Sequence, residues 1–238
     1  MIGLLRVALV VIPVTAWWGA RILWAAWRRS PELRCICEAA PRGWSRSLLW
    51  AAGVRVVLEN PKQIVPERAQ VLVANHTSWF DVLALAGHLP GTFRFVGKKE
   101  LSRVPVFGRA WVACGHIAID RGDQQAAIES LALARRVIEE DRPTVILFPE
   151  GTRSETGELR AFKKGAFVLA IQTGAELVPA AIFGSRDVMR KGSWRIRTGR
   201  TIRVRFGDPL PVDGLEMEDR NELTRKGRDA VAALLAAG

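Results

Sequence analysis

The chain has 238 residues, 49% of them hydrophobic, which is enough for one full-sized α/β domain with an appendage. Its 35 Lys and Arg exceed 24 Asp and Glu, and the resulting charge of +11 speaks to partners rather than to fold: nucleic acid, anionic lipid or phosphorylated small molecules. Cys35, Cys37 and Cys114 offer one Cys-x-Cys pair with no second pair to complete a zinc site, so they are expected as reduced thiols of a cytosol-facing protein.

Residues 1–28, MIGLLRVALVVIPVTAWWGARILWAAWR, carry only Arg6, Arg21 and Arg28 as charges, and something apolar must cover them. The uninterrupted stretch between Arg6 and Arg21 would be about 21 Å long as a helix, shorter than a hydrocarbon core of roughly 30 Å. The expected form is therefore a monotopic or hairpin membrane anchor. A tilted span with snorkelling arginines, a cleaved signal peptide and a buried core helix are the alternatives. Pro13 is expected to kink the helix. Tryptophans 17, 18, 24, 27 and 50 suit a membrane interface, and Arg28 with Arg29 favours a main domain on the cytoplasmic side of the inner membrane. Residues 29–50 read as a second helical piece punctuated by Pro31 and Pro41, dividing the chain into an anchoring segment, 1–50, and a domain, 51–238.

From about residue 54, short β-branched runs alternate with helical stretches. Strands are expected at VRVVLEN, VLVAN, FRFVG, HIAID, TVILFP, LVPAAIF and TIRVRF, with helices near 79–88, 104–113, 124–140, 161–173 and 217–236. That alternation predicts an α/β fold: a mixed, largely parallel sheet flanked by helices, with the N-terminal helical anchor attached.

Three polar clusters each follow directly on an expected strand: NHTSWFD, DRGD and PEGTRS. Ligands of α/β sheets gather at the carboxyl ends of strands, so the clusters are expected to share one site. In the first, Ser78-x-x-Asp81 reads as a capping box, while Asp81 could also hold one ring nitrogen of His76 and leave the other as a base. In the second, Asp120 and Arg121 are a candidate site or merely a solvated strand end. In the third, Gly151 permits a positive φ, Arg153 offers a planar fork for a phosphate, and Glu150 looks placed between proline and glycine. His116 is expected to pack in or beside its strand, and no metal constellation is visible.

His76-x4-Asp81, GHIAIDR, FPEGTRS and VPAAI stand in the order of four blocks that together are highly specific. Over roughly residues 55–210 the chain resembles the 1-acyl-sn-glycerol-3-phosphate acyltransferases of the glycerolipid acyltransferase superfamily. The resemblance implies transfer of a fatty acyl group from acyl-CoA or acyl carrier protein, as co-substrate and without a further cofactor. The acceptor would be the sn-2 hydroxyl of lysophosphatidic acid, giving phosphatidic acid; a lyso-ornithine lipid or glycerol 3-phosphate is the alternative. Carried over, His76 is the general base and Asp81 its orienting partner. Glu150, Gly151, Thr152 and Arg153 form the acceptor-phosphate block, Arg121 and Lys98 add positive charge, and Pro179 sits near the donor. No Gly-x-Ser-x-Gly elbow is present, so direct transfer is expected, with Cys114 the one covalent rival. The positive charge then serves an anionic membrane surface and an acidic donor, not nucleic acid.

Overall fold

The computed structural model describes residues 2–120 and 122–238. Two helices, α1 (Ile2–Trp27) and α2 (Leu33–Ala51), precede β1 (Arg55–Glu59), β2 (Gln70–Ala74), α3 (Trp79–His88) and β3 (Phe93–Lys98). Then come α4 (Phe107–Ala113), β4 (Ile117–Ile119), α5 (Gln124–Asp141), β5 (Thr144–Leu147), α6 (Gly165–Thr173) and β6 (Glu176–Phe183). A short α7 (Ser185–Val188), β7 (Thr201–Phe206) and α8 (Arg220–Ala236) complete the order.

The seven strands form one sheet in the order β1-β7-β6-β2-β5-β3-β4. Every neighbouring pair is parallel except β6 with β7. The central strand β2 is buried at all its positions, as a parallel strand covered on both faces must be. Its alternation divides the core: Leu72 and Ala74 join a cluster with α2 and α3, while Val71 and Val73 join one with α5, α6 and α8. The chain is thus a three-layer α/β fold.

Helix α1 runs unbroken through Pro13 and folds back on α2, where Trp44 Nε1 donates to Thr15 Oγ1 at 2.8 Å. It is long and apolar enough to cross a membrane by length and composition, yet its Leu5, Leu9, Ile12, Trp17, Trp24 and Trp27 are exposed. A helix so apolar and so little covered is a candidate membrane anchor.

The expectation of three reduced thiols is corrected. Cys37 of α2 is bonded to Cys114 at the end of α4, 77 residues away, and only Cys35 is free. The Cys-x-Cys spacing makes Cys35 and Cys37 look like a pair. On a helix, however, residues two apart point to different sides, so Cys37 turns inward to α4 while Cys35 turns to solvent.

Candidate active site

The chain leaves β2 at its carboxyl end and turns through Asn75, His76, Thr77 and Ser78 into α3. Ser78 caps that helix: its Oγ accepts from Phe80 N–H at 3.2 Å, and Asp81 closes the capping box from the third helical position. One carboxylate oxygen of Asp81, Oδ2, accepts from Thr77 N–H at 2.7 Å, from Ser78 N–H at 2.8 Å and from His76 Nδ1 at 2.8 Å. Cap and histidine partner are therefore the same atom. Since Oδ2 is an acceptor throughout, Nδ1 carries the ring proton and Nε2 keeps its lone pair. Asp81 is fully buried, whereas the His76 side chain is 13% exposed, and the imidazole stacks on Phe148 with centroids 4.0 Å apart.

The neighbouring strands hold this turn in place. β5 runs beside β2, and the loop after it brings Glu150 under the histidine: Oε1 accepts from His76 N–H at 2.7 Å and Oε2 from Arg160 N–H at 3.2 Å. Ser154 N–H donates to His76 C=O at 2.7 Å, so both backbone groups of the histidine are bound to the 150–154 loop. On the other side, Asn75 pairs with Ile182 at the end of β6, accepting at 2.7 Å and donating at 3.0 Å. Thr77 Oγ1 meets Ser185 Oγ at 3.0 Å, and Ser78 Oγ donates to Met189 C=O at 2.7 Å. Burial pushes the Glu150 carboxyl above the ordinary carboxylate range, against the pull of the two N–H donors.

Gly151 has φ of +77°, a left-handed conformation that favours glycine in this turn. Thr152 and Arg153 follow, both partly buried. The Arg153 guanidinium lies 5.0 Å over the ring of Trp79 and forms no ion pair among the described residues. Burial lowers its pKa while the Asp81 charge raises it. Helix α3, which carries Asp81, also gives Val82 and Ala86 to an apolar pocket of about 90 Å³ lined by Trp18, Trp44, Phe107 and Trp111.

The structure thus brings His76, Asp81 and Glu150 into direct contact, with Gly151, Thr152 and Arg153 in the adjoining loop. Lys98 ends β3 at the same sheet edge but is largely exposed and paired with Glu100 at 3.0 Å. Arg121 lies outside the described residues; its neighbour Asp120 is ion-paired with Lys99. Cys114 is buried in its disulfide, which removes it as a nucleophile. His116 packs as expected, accepting from Phe95 N–H at 3.0 Å and stacking on Trp111; burial and nearby Arg94 lower its pKa to about 3. Asn75, Ser154 and Trp79 were not singled out as site residues. Only Asn75, a polar residue ending an apolar run, carried a local signal.

A family model described as Acyltransferase matches residues 55–183, more than half of the chain and the whole span from β1 to β6. The chain belongs to the acyltransferase family. This acyltransferase is 35% identical over 176 residues to the 1-acyl-sn-glycerol-3-phosphate acyltransferase of Cocos nucifera, covering 74% of the present chain and 56% of that one. It is 31% identical over 207 residues to the enzyme of that name from Limnanthes alba, covering 87% and 72% respectively. A crystal structure of the 1-acyl-sn-glycerophosphate acyltransferase from Thermotoga maritima shares the fold, with a TM-score of 0.81, 24% identity, and coverage of 98% of this chain and 95% of that one.

Proposed function

We propose that this acyltransferase moves a fatty acyl group from acyl-CoA or acyl carrier protein to the sn-2 hydroxyl of 1-acyl-glycerol-3-phosphate, forming phosphatidic acid. The observation that carries the reading is the 2.8 Å bond from His76 Nδ1 to an Asp81 oxygen already holding two backbone N–H groups. A ring so fixed presents Nε2 as a base of constant orientation.

In the proposed reaction, the acceptor hydroxyl attacks the thioester carbonyl carbon as Nε2 takes its proton. The tetrahedral intermediate collapses with cleavage of the C–S bond, and the proton passes from Nε2 to the departing thiolate. Asp81 stabilises the imidazolium formed between these transfers. Arg153, presented on Trp79 with no carboxylate ion pair among the described residues, receives the acceptor phosphate, with Thr152 beside it and Lys98 and Arg121 adding positive field. Glu150 is assigned to the backbone of His76 and Arg160 rather than to the phosphate, which it would repel. Arg28 and Arg29 at the end of α1 favour the cytoplasmic face of the membrane, where the thioester donors are found.

The test is acyl transfer by detergent-purified protein from labelled acyl-CoA or acyl carrier protein to lysophosphatidic acid. His76→Ala should lower kcat by at least about a hundredfold, the low end for a lost general base. Wild-type inactivity with both donors would overturn the acceptor assignment, and an active His76→Ala variant would overturn the mechanism.

A further inference from the structure

Between α7 and β7 the chain makes an excursion over residues 189–200, MRKGSWRIRTGR, with no assigned helix or strand and no acidic residue. Lys191 is paired with Glu155 at 2.9 Å. Arg190, Arg195, Arg197 and Arg200 are exposed, and none of their side chains forms an ion pair or hydrogen bond among the described residues. At the outer end Trp194 is 78% exposed, one of the most exposed large apolar side chains described. A loop that leaves four cations and an indole uncovered has its partner outside the chain.

The position of the loop identifies that partner. Beyond Met189 its one buried apolar residue, Ile196, packs in the core cluster that Val7 and Val11 of α1 also touch. A Cβ on Gly3 would lie 2.8 Å from Ile196 C=O, and Gly199 N–H donates to Gly53 C=O at 3.0 Å, just beyond α2. The loop therefore borders both the first turns of α1, where Leu4, Leu5 and Leu9 are exposed, and the end of α2, where Trp50 is 79% exposed. Cations and an indole at the margin of an uncovered apolar face match the headgroup layer of a bilayer: arginines at the phosphates, tryptophan at the boundary with the chains.

We propose that residues 189–200 are a second membrane contact, specific for anionic lipid, and that the loop sets the catalytic turn against the bilayer surface. The root of the loop is already tied to that turn, since Met189 C=O accepts from Ser78 Oγ at 2.7 Å and Ser185 Oγ meets Thr77 Oγ1 at 3.0 Å. Membrane headgroups would thus hold the loop, and the loop holds the segment that carries His76. The proposal rests on the membrane-associated reading above but not on the identity of the acceptor.

The experiment uses the full chain on phosphatidylcholine vesicles with or without phosphatidylglycerol. Lipids brominated at defined acyl depths quench tryptophans that enter the bilayer, and the signal lost in Trp194→Phe isolates Trp194. Quenching of that signal should be strong on anionic vesicles, weaker on zwitterionic ones, and reduced by salt. Arg195→Gln with Arg197→Gln should weaken the anionic contribution by about 25-fold, about fivefold per arginine near the surface. The same variant should lose turnover on vesicle-borne lysophosphatidic acid but not on a short-chain, monomeric acceptor.

Absence of Trp194 quenching on both vesicle types would overturn the proposal. So would unchanged quenching in the double variant together with a raised KM for acyl carrier protein, because the cations would then serve an acidic protein. Quenching needs no turnover. Intact anionic quenching in a protein inactive on lysophosphatidic acid would therefore support the surface while defeating the acceptor assignment.

Discussion

Replacing Asp81 by asparagine separates charge from geometry. The amide can keep an oxygen where Oδ2 receives Thr77 and Ser78 N–H at 2.7 and 2.8 Å, and place its NH₂ where Oδ1 accepts no hydrogen bond. The helix cap then survives, and what disappears is the negative charge beside the imidazolium. With Nδ1 2.8 Å from Oδ2 the charge centres lie roughly 4 Å apart, an interaction of about 4 kcal/mol at an effective dielectric constant of about 20. That corresponds to a loss of about a thousandfold in kcat. KM for lysophosphatidic acid should stay within about twofold, because Asp81 is buried behind the histidine rather than facing the acceptor. The assay is steady-state transfer from labelled acyl-CoA, alongside a thermal melt that confirms the fold. A fall of less than about tenfold with an unaltered melt would refute the reasoning, since Asp81 would then serve the helix alone.

Trp79→Ala should raise KM for lysophosphatidic acid by about tenfold with kcat nearly unchanged, because the cation–π contact that presents Arg153 is lost; an unchanged KM would remove Trp79 from the site. Glu150 has a raised folded pKa, so its contribution favours folding below about pH 4.3 and is lost as pH rises through the folded value. The stability of wild type relative to Glu150→Gln should accordingly fall as pH rises above about 4 in urea titrations, and a rise would contradict that sign. Reduction of the Cys37–Cys114 bond, which closes a loop across 77 positions, should cost about 4 kcal/mol in denaturant titrations. Three thiols titrated without reductant, with a midpoint insensitive to dithiothreitol, would show the bond unformed in the isolated protein.

The strands were legible because a buried parallel strand must be an apolar run, and VLVA and TVIL are such runs. The site was legible because its polar clusters sit directly after those runs. His76 and Asp81 could also be paired from sequence, because the third residue of a helix reaches back to the turn that precedes it. Most of the remaining contacts join distant segments through backbone groups. Glu150 meets His76 N–H across 74 residues and Asn75 meets Ile182 across 107, and a peptide N–H carries no residue-specific mark to foretell its partner. This is why Glu150 could be singled out while its backbone partners could not. The disulfide was missed for a related reason: the approach of Cys37 to Cys114 depends on how α2 docks on α4, and the local pattern of neither helix records that docking.

The backbone of His76 is bound at both its N–H and its C=O by the loop that follows β5, so the strand-to-strand ladder effectively continues past the ends of the strands. The amides of His76 and Ser154, although outside regular structure, should therefore exchange as slowly as those of the sheet, which hydrogen–deuterium exchange can check. Diversification of this scaffold is constrained in the same way. An inserted residue between positions 76 and 81 would rotate the carboxylate by about 100° around the helix axis, so new acceptor preferences have to arise through side chains such as those at 79, 152 and 153, on a turn whose length cannot change.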